Sequence, residues 1–166
     1  MNLQRWTRHL LTSDWSVRRA FPRATMTAIA EAIRVAESGH GGEIRFAVEA
    51  SLEPGALLRG TSPRERAIDV FSELRVWDTQ HNNGVLIYVL LADHAVEIVA
   101  DRGIHAHEGT ETWSAICRQM DTAFGQADYR SGALLGVAAV AQALKKHFPY
   151  RGGHPNELPD EPAVLS

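Results

Sequence analysis

The stretch Val85 to Ala92 reads Val-Leu-Ile-Tyr-Val-Leu-Leu-Ala, with no charged or amide side chain in it. A strand of this kind has two apolar faces, so it must lie inside a sheet that is covered on both sides. It is also far too short to cross a bilayer. Polar turns bound it, Asp78-Thr79-Gln80-His81-Asn82-Asn83-Gly84 before and Asp93-His94 after. Beyond the second turn, Ala95 to Asp101 reads as another strand, with Val96, Ile98 and Ala100 on one face. A connection of two residues makes the pair an antiparallel hairpin.

Upstream, Glu43 to Ala50 alternates strictly: Ile44, Phe46, Val48 and Ala50 face one way, and Glu43, Arg45, Ala47 and Glu49 the other. That pattern predicts a strand with one buried face. Leu52 to Gly60, with Pro54-Gly55, reads as a loop. Ser62-Pro63-Arg64-Glu65 is a helix start, with Ser62 as cap, Pro63 in the first turn and Glu65 closing a capping box. Amphipathic helices are predicted over Ala24 to Ser38, stopped by Gly39, around Trp113 to Phe124, and from Tyr129 to Phe148. A helix joins the first two strands, so they should run parallel through a right-handed crossover. The expectation is an α/β fold: a three-layer α/β/α sandwich whose small mixed sheet has 85–92 at its centre, parallel to 43–50 and antiparallel to 95–101. A chain of 166 residues with 45% hydrophobic and 22% charged residues can bury such a core without disulfide or metal.

The single α/β domain is expected over residues 24–149. Residues 1–23 form a basic aromatic extension, in which Arg5, Arg8, Arg18, Arg19 and Arg23 stand against Asp14, with Trp6, Trp15 and Phe21 interleaved. Such a segment either packs its tryptophans on the domain or docks as a basic amphipathic element on anionic lipid or a partner. Residues 150–166 are Gly/Pro-rich and acidic, the composition of a flexible tail. The net charge of −3 argues against a general nucleic-acid binder. Cys117, the one cysteine, falls on the apolar stripe of a helix and reads as a core residue, and alone it builds no disulfide. The N-terminus lacks the apolar block and cleavage site of a secretory signal, so the cytoplasm is the expected compartment.

The chain directions make one rim of the sheet. The start of the first strand, the start of the second and the end of the third meet there, which brings Glu43, Asp78, Asn82, Asn83 and Asp101 towards one corner. Carboxylates with amide and backbone oxygens suit a hard cation, Ca²⁺ or Mg²⁺, and without an ion the like charges would raise one another's pKa. The plainer alternative is that Asp78 and Asp101 cap turns or pair with Arg75 and Arg102. A second candidate is His105-Ala106-His107-Glu108: in an extended segment the two imidazoles would point the same way and could share a transition metal. The phosphate loop Gly-x-x-x-x-Gly-Lys, the fingerprint Gly-x-Gly-x-x-Gly and the elbow Gly-x-Ser-x-Gly are absent from the sequence.

Asn83-Gly84-Val85-Leu86-Ile87-Tyr88, then Val96 to Ile104 with Ala100-Asp101-Arg102-Gly103-Ile104, resemble the core of the TPM domain. So do Trp113, the stretch Phe124 to Gly132 and the helix running to Phe148-Pro149; the resemblance spans about residues 25–149. It implies an α/β/α sandwich. In function it implies a range of roles, since acid phosphatase activity is attributed to a plant member, calcium binding to a bacterial one, and assembly or repair to others. The positions that match the family core are Asn83, Gly84, Asp101, Arg102 and Gly103. The function expected is thus a non-catalytic interaction or assembly domain with a protein partner and a Ca²⁺ (or Mg²⁺) site at one sheet edge. A link to membranes without a transmembrane segment, and no nucleic acid, complete that expectation. The alternative is a metal-assisted acid phosphatase for phosphate monoesters, in which Arg102 binds the ester oxygens. Whether the chain is an enzyme stays open between the two.

Overall fold

β2 (Gly84–Leu90) is buried along its whole length, and its alternate residues enter two separate cores. Val85, Ile87 and Val89 point into one; Leu86, Tyr88 and Leu90 point into the other. This is the computed structural model of the chain, and it describes residues 3–153 and 155–165. Met1, Asn2, His154 and Ser166, which belong to the expected extension and tail, lie outside the described residues.

β2 pairs in parallel with β1 (Glu43–Glu49) and antiparallel with β3 (Ala95–Ala100), as the chain directions require. Four residues, 91–94, join the hairpin in place of the expected two, with His94 at a positive φ of 50°. The sheet has four strands in the order β3-β2-β1-β4, so both β1 and β2 are interior. β4 (Ala163–Leu165) comes from the segment whose acidic, Pro-rich composition suggested a flexible tail, and it pairs parallel to β1. Composition could not show this, because the segment is held by contacts from β1. Arg45 donates to the carbonyls of Pro159 (2.8 Å) and Glu161, and Leu158 is buried in the second core.

The first core is closed by α3 (Arg23–Glu37), α6 (Arg102–Gly125) and α7 (Tyr129–His147). The second is closed by α4 (Pro54–Arg59), α5 (Pro63–Glu73) and the C-terminal segment. The result is the α/β/α sandwich. α4 replaces the expected loop, and its end at Gly60 adopts φ 73°, a left-handed turn suited to glycine. The capping box of α5 forms as read: Glu65 N–H donates to Ser62 Oγ, and Ser62 N–H donates to Glu65 Oε2 at 2.7 Å.

β1 departs from the one-sided burial that its alternation suggested. All seven residues are buried, Glu43, Arg45 and Glu49 included, because α5 and the C-terminal segment cover the polar face. Residues 3–20 are helical too, as α1 (Leu3–Leu11) and α2 (Asp14–Ala20). Val17 of α2, followed by Phe21, enters the first core. Arg5 of α1 grips the Asp93 carboxylate (3.0 and 2.7 Å) and the Thr61 carbonyl (2.7 Å). His9 accepts from Leu52 N–H at Nδ1, and its Nε2 lies 3.1 Å from Asp93. Trp6 packs against the second core, whereas Trp15 stays in solvent. Among the described residues no helix is long and apolar enough to cross a membrane.

Candidate functional site

The rim forms where the backbone directions place it. Glu43 N–H donates to the Asn83 carbonyl at 3.1 Å, and Asp101 N–H donates to the Gly84 carbonyl at 2.9 Å. The starts of β1 and β2 and the end of β3 are therefore stitched together.

Asn83 is fully buried. Its N–H donates to Thr79 Oγ1 at 3.1 Å, and its side-chain amide donates to the Gly41 carbonyl. Its Oδ1 is buried without a hydrogen-bond partner. Asp101 caps α6, with Oδ1 accepting from Arg102 N–H at 2.7 Å, while Oδ2 is buried without a partner. Two buried oxygens lacking donors are costly in a folded protein. Gly103 adds to the same corner. An ideal Cβ there would lie 2.5 Å from the Asn82 carbonyl oxygen and 3.1 Å from that of His81. The loop's carbonyls thus press against the first turn of α6, beside the Asp101 cap.

The other three residues of the expected set are placed differently. Glu43 turns to the C-terminal segment, and its Oε2 accepts from Leu158 N–H (3.1 Å) and Glu157 N–H (3.3 Å). Gly84 lies between Glu43 and Asp101 in the backbone pairing, and the Val76 carbonyl oxygen sits upon it, 2.1 Å from where a Cβ would be. Asp78 and Asn82 are exposed, Asn82 with a positive φ of 51°. Among the described residues, no three His, Cys, Asp or Glu side chains stand together in a way that could hold a metal ion. Any ion at this corner would depend on amide and backbone oxygens alongside Asp101.

A second acidic group lies behind Glu43. Burial pushes the Glu37 carboxyl up to about 8, helped by Glu43 and Asp160, against the pull of the Ile44 N–H that it accepts at 2.7 Å. Burial likewise raises Glu43 to about 7. The folded state thus holds the Glu37 proton more tightly than the unfolded chain does. That stabilisation is complete below about pH 4.5 and is lost as the pH rises through about 8. Glu37→Gln keeps an acceptor for Ile44 without the charge. We expect the variant to equal wild type near pH ~5 and to exceed it by ~2 kcal/mol near pH ~9 in urea unfolding, after allowance for solvent screening. Parallel pH profiles for the two proteins would show that Glu37 ionises without penalty.

The His105–Glu108 segment is helical, as the first part of α6, which breaks at Gly109 (φ 72°, ψ 174°). In a helix, residues two apart diverge by more than a right angle, so His105 and His107 do not share a ligand position as an extended segment would allow. Instead the His107 ring stacks on His147 of α7 at 5.1 Å, and His147 Nε2 lies 2.6 Å from Glu108 Oε1. His147 also lines a cleft of about 500 Å³ with Gly41, Gln80, His81 and Arg151. This cleft adjoins the rim, since Gly41 is the acceptor for Asn83. The Cys117 thiol is partly buried and pushed up to about 12, first by burial, which makes it a poor nucleophile.

The polar face of β1 holds a buried cluster that was not among the residues expected from the sequence. Arg66 of α5 grips Glu49 (2.9–3.2 Å), and Tyr88 donates its phenol to the same carboxylate. The signal was present: charges at Arg45 and Glu49 on a strand paired with a two-sided apolar neighbour need buried partners.

With this geometry fixed, the family follows from the sequence match. The model of the TPM domain matches residues 18–143. The chain belongs to the TPM domain family. Its TPM domain is similar to the solution structure of BA42 from the psychrophilic bacterium Bizionia argentinensis. The two are 32% identical over 86% of this chain and 93% of that one, with a TM-score of 0.73. The N-terminal domain of a P. gingivalis protein shares the fold at 20% identity, over 78% of this chain and 82% of that domain, with a TM-score of 0.60. No curated protein matches the sequence. The TPM match begins inside α2 and ends within α7, so α1 and β4 lie outside the matched residues.

Proposed function

We propose that this TPM domain is a non-catalytic interaction and assembly module of the cytoplasm whose rim takes a divalent cation, Ca²⁺ or Mg²⁺, at Asn83 and Asp101. One observation carries the reading: Asn83 Oδ1 and Asp101 Oδ2 are both buried and both without a hydrogen-bond donor at the same end of the sheet. A hard cation supplies what each oxygen lacks, and nearby carbonyls such as those of His81 and Asn82 suit its preference for neutral and anionic oxygen together. In this reading Glu43 serves the C-terminal segment, and Asp78 and Asn82 contribute from the solvent side through water. A partner protein would read the ordered loop 78–83, which the ion ties to α6.

The test is a Ca²⁺ and Mg²⁺ titration followed by thermal unfolding and calorimetry. Binding to the native state alone adds about 2.7 kcal/mol at a hundred times Kd. Wild type should gain stability with ion concentration. Asp101→Asn keeps the helix cap but removes the charge, and its gain should fall to near zero. A wild-type protein that neither ion stabilises would end the reading.

One feature favours a second reading, metal-assisted hydrolysis of phosphate monoesters. The cleft with His147 and Arg151 beside the rim offers cationic and proton-carrying groups next to the ion position. Under that reading p-nitrophenyl phosphate is turned over in an ion-dependent manner, and His147→Ala and Asp101→Asn both abolish it. Absence of turnover in wild type leaves the binding module alone.

A further inference from the structure

Four of the five most exposed large apolar side chains among the described residues lie in α1 and α2. They are Leu11 at 82%, Leu3 and Leu10 at 73%, and Trp15 at 65%. Single exposed apolar groups are ordinary, but a cluster like this marks a contact surface. Helical spacing puts Leu3 and Leu10 on one row of α1, with Leu11 beside them, away from the inward face that carries Arg5 and His9. That inward face is fixed. Arg5 is clamped to Asp93 and Thr61, and His9 to Leu52, so the helix cannot roll to hide its leucines.

The charge around these residues is mostly positive. Arg8 is half exposed, and Arg18, Arg19 and Arg23 are exposed, with Asp14 the acid within the segment. This stands out in a chain whose net charge is −3. On α2, Trp15 and Arg19 lie together, the guanidinium 5.5 Å from the ring centroid. A cleft of about 600 Å³ opens beside them, lined by Trp15, Arg19, Tyr129 and Arg130. Asp128, on its edge, is engaged as the cap of α7.

We propose that the outward faces of α1 and α2 dock on an anionic lipid surface, with Leu3, Leu10, Leu11 and Trp15 entering the headgroup boundary and Arg8, Arg18 and Arg19 meeting lipid phosphates. The combination decides between partners. Exposed leucines with a tryptophan gain nothing from a nucleic-acid backbone, whereas apolar groups ringed by arginine fit an anionic bilayer interface. The cleft between Arg19 and Arg130 is large enough for a phosphate headgroup. This surface is separate from the rim, so the inference does not rest on ion binding there.

The experiment is co-sedimentation of the full chain, in EDTA, with vesicles of phosphatidylcholine alone or mixed with phosphatidylglycerol. Binding is expected to the mixed vesicles at low salt, and to fall steeply in high salt and with phosphatidylcholine alone. Arg18→Gln with Arg19→Gln should weaken it about twentyfold, and Leu10→Gln with Leu11→Gln at least ~10-fold. All four positions are exposed, so thermal unfolding should match wild type and separate lost docking from lost folding. With brominated lipid, Trp15→Phe should remove most of the fluorescence quenching seen in wild type. Failure of wild type to bind the mixed vesicles, or equal binding by both double variants, would overturn the proposal.

Discussion

Gly84→Ala is expected to lower stability by about 3 kcal/mol or more, a drop of roughly 6–12 °C in the melting temperature for a chain of this size. An ideal Cβ at this position would lie 2.1 Å from the Val76 carbonyl oxygen and 2.9 Å from Val76 Cγ1. The obstacle is backbone, which cannot swing aside as a side chain can. Val76 is buried, and its own N–H is tied to the Phe71 carbonyl at 3.0 Å. The methyl group must therefore lift the whole connection between α5 and β2, which carries Asn82 and Asn83. Thermal unfolding checks this directly, and the ion titration on the same variant reads whether the rim moves with the loop. A melting temperature close to wild type would mean that the connection is looser than its contacts indicate.

Glu49→Ala should be of similar size, about 3–5 kcal/mol in urea unfolding. Glu49 is buried and holds two groups at once, the Arg66 guanidinium and the Tyr88 phenol. Burial and the neighbouring Glu49 charge keep the phenol far above its usual range, so Tyr88 remains a donor at any working pH. Removal of the carboxylate leaves a cation with only Glu73 at the surface and a hydroxyl sealed in the core with no acceptor. The cost comes from the stranded partners, not from the pair itself. Replacement of all three together, as Glu49→Leu, Arg66→Met and Tyr88→Phe, should accordingly recover most of the loss. If Glu49→Ala costs under ~1 kcal/mol, water has access to the cluster.

Both predictions concern residues whose surroundings only partly show in the sequence. The two-sided apolar run of β2 announced a covered strand, and the helix between β1 and β2 announced their parallel direction, so the rim was legible as a place. Asn83 and Asp101 were legible as its members because they sit at strand ends. Glu43 was not legible as the anchor of the C-terminal segment, since that segment contributes backbone N–H groups, which any residue supplies. For the same reason β4 left no mark: three residues of strand are too few for a period to be read. His105 and His107 do not face one way as an extended segment would have them, because the helix from Arg102 reaches Gly109 and the period is about 3.6 in place of 2. The inward half of α1 shows only in part, because apart from Trp6 its contacts are polar. Arg5 and His9 meet an aspartate 88 and 84 residues away along the chain, with no apolar stripe to reveal them.

β4 has a practical consequence for anyone who trims the protein. A version cut back to the matched boundary at residue 143 would lose the strand alongside Ala47, Val48 and Glu49. It would also uncover Arg45 and Glu43 and bare the unpaired backbone groups along that edge of β1. Such a lip recruits other chains, so the shortened protein should clump more readily than the full chain does.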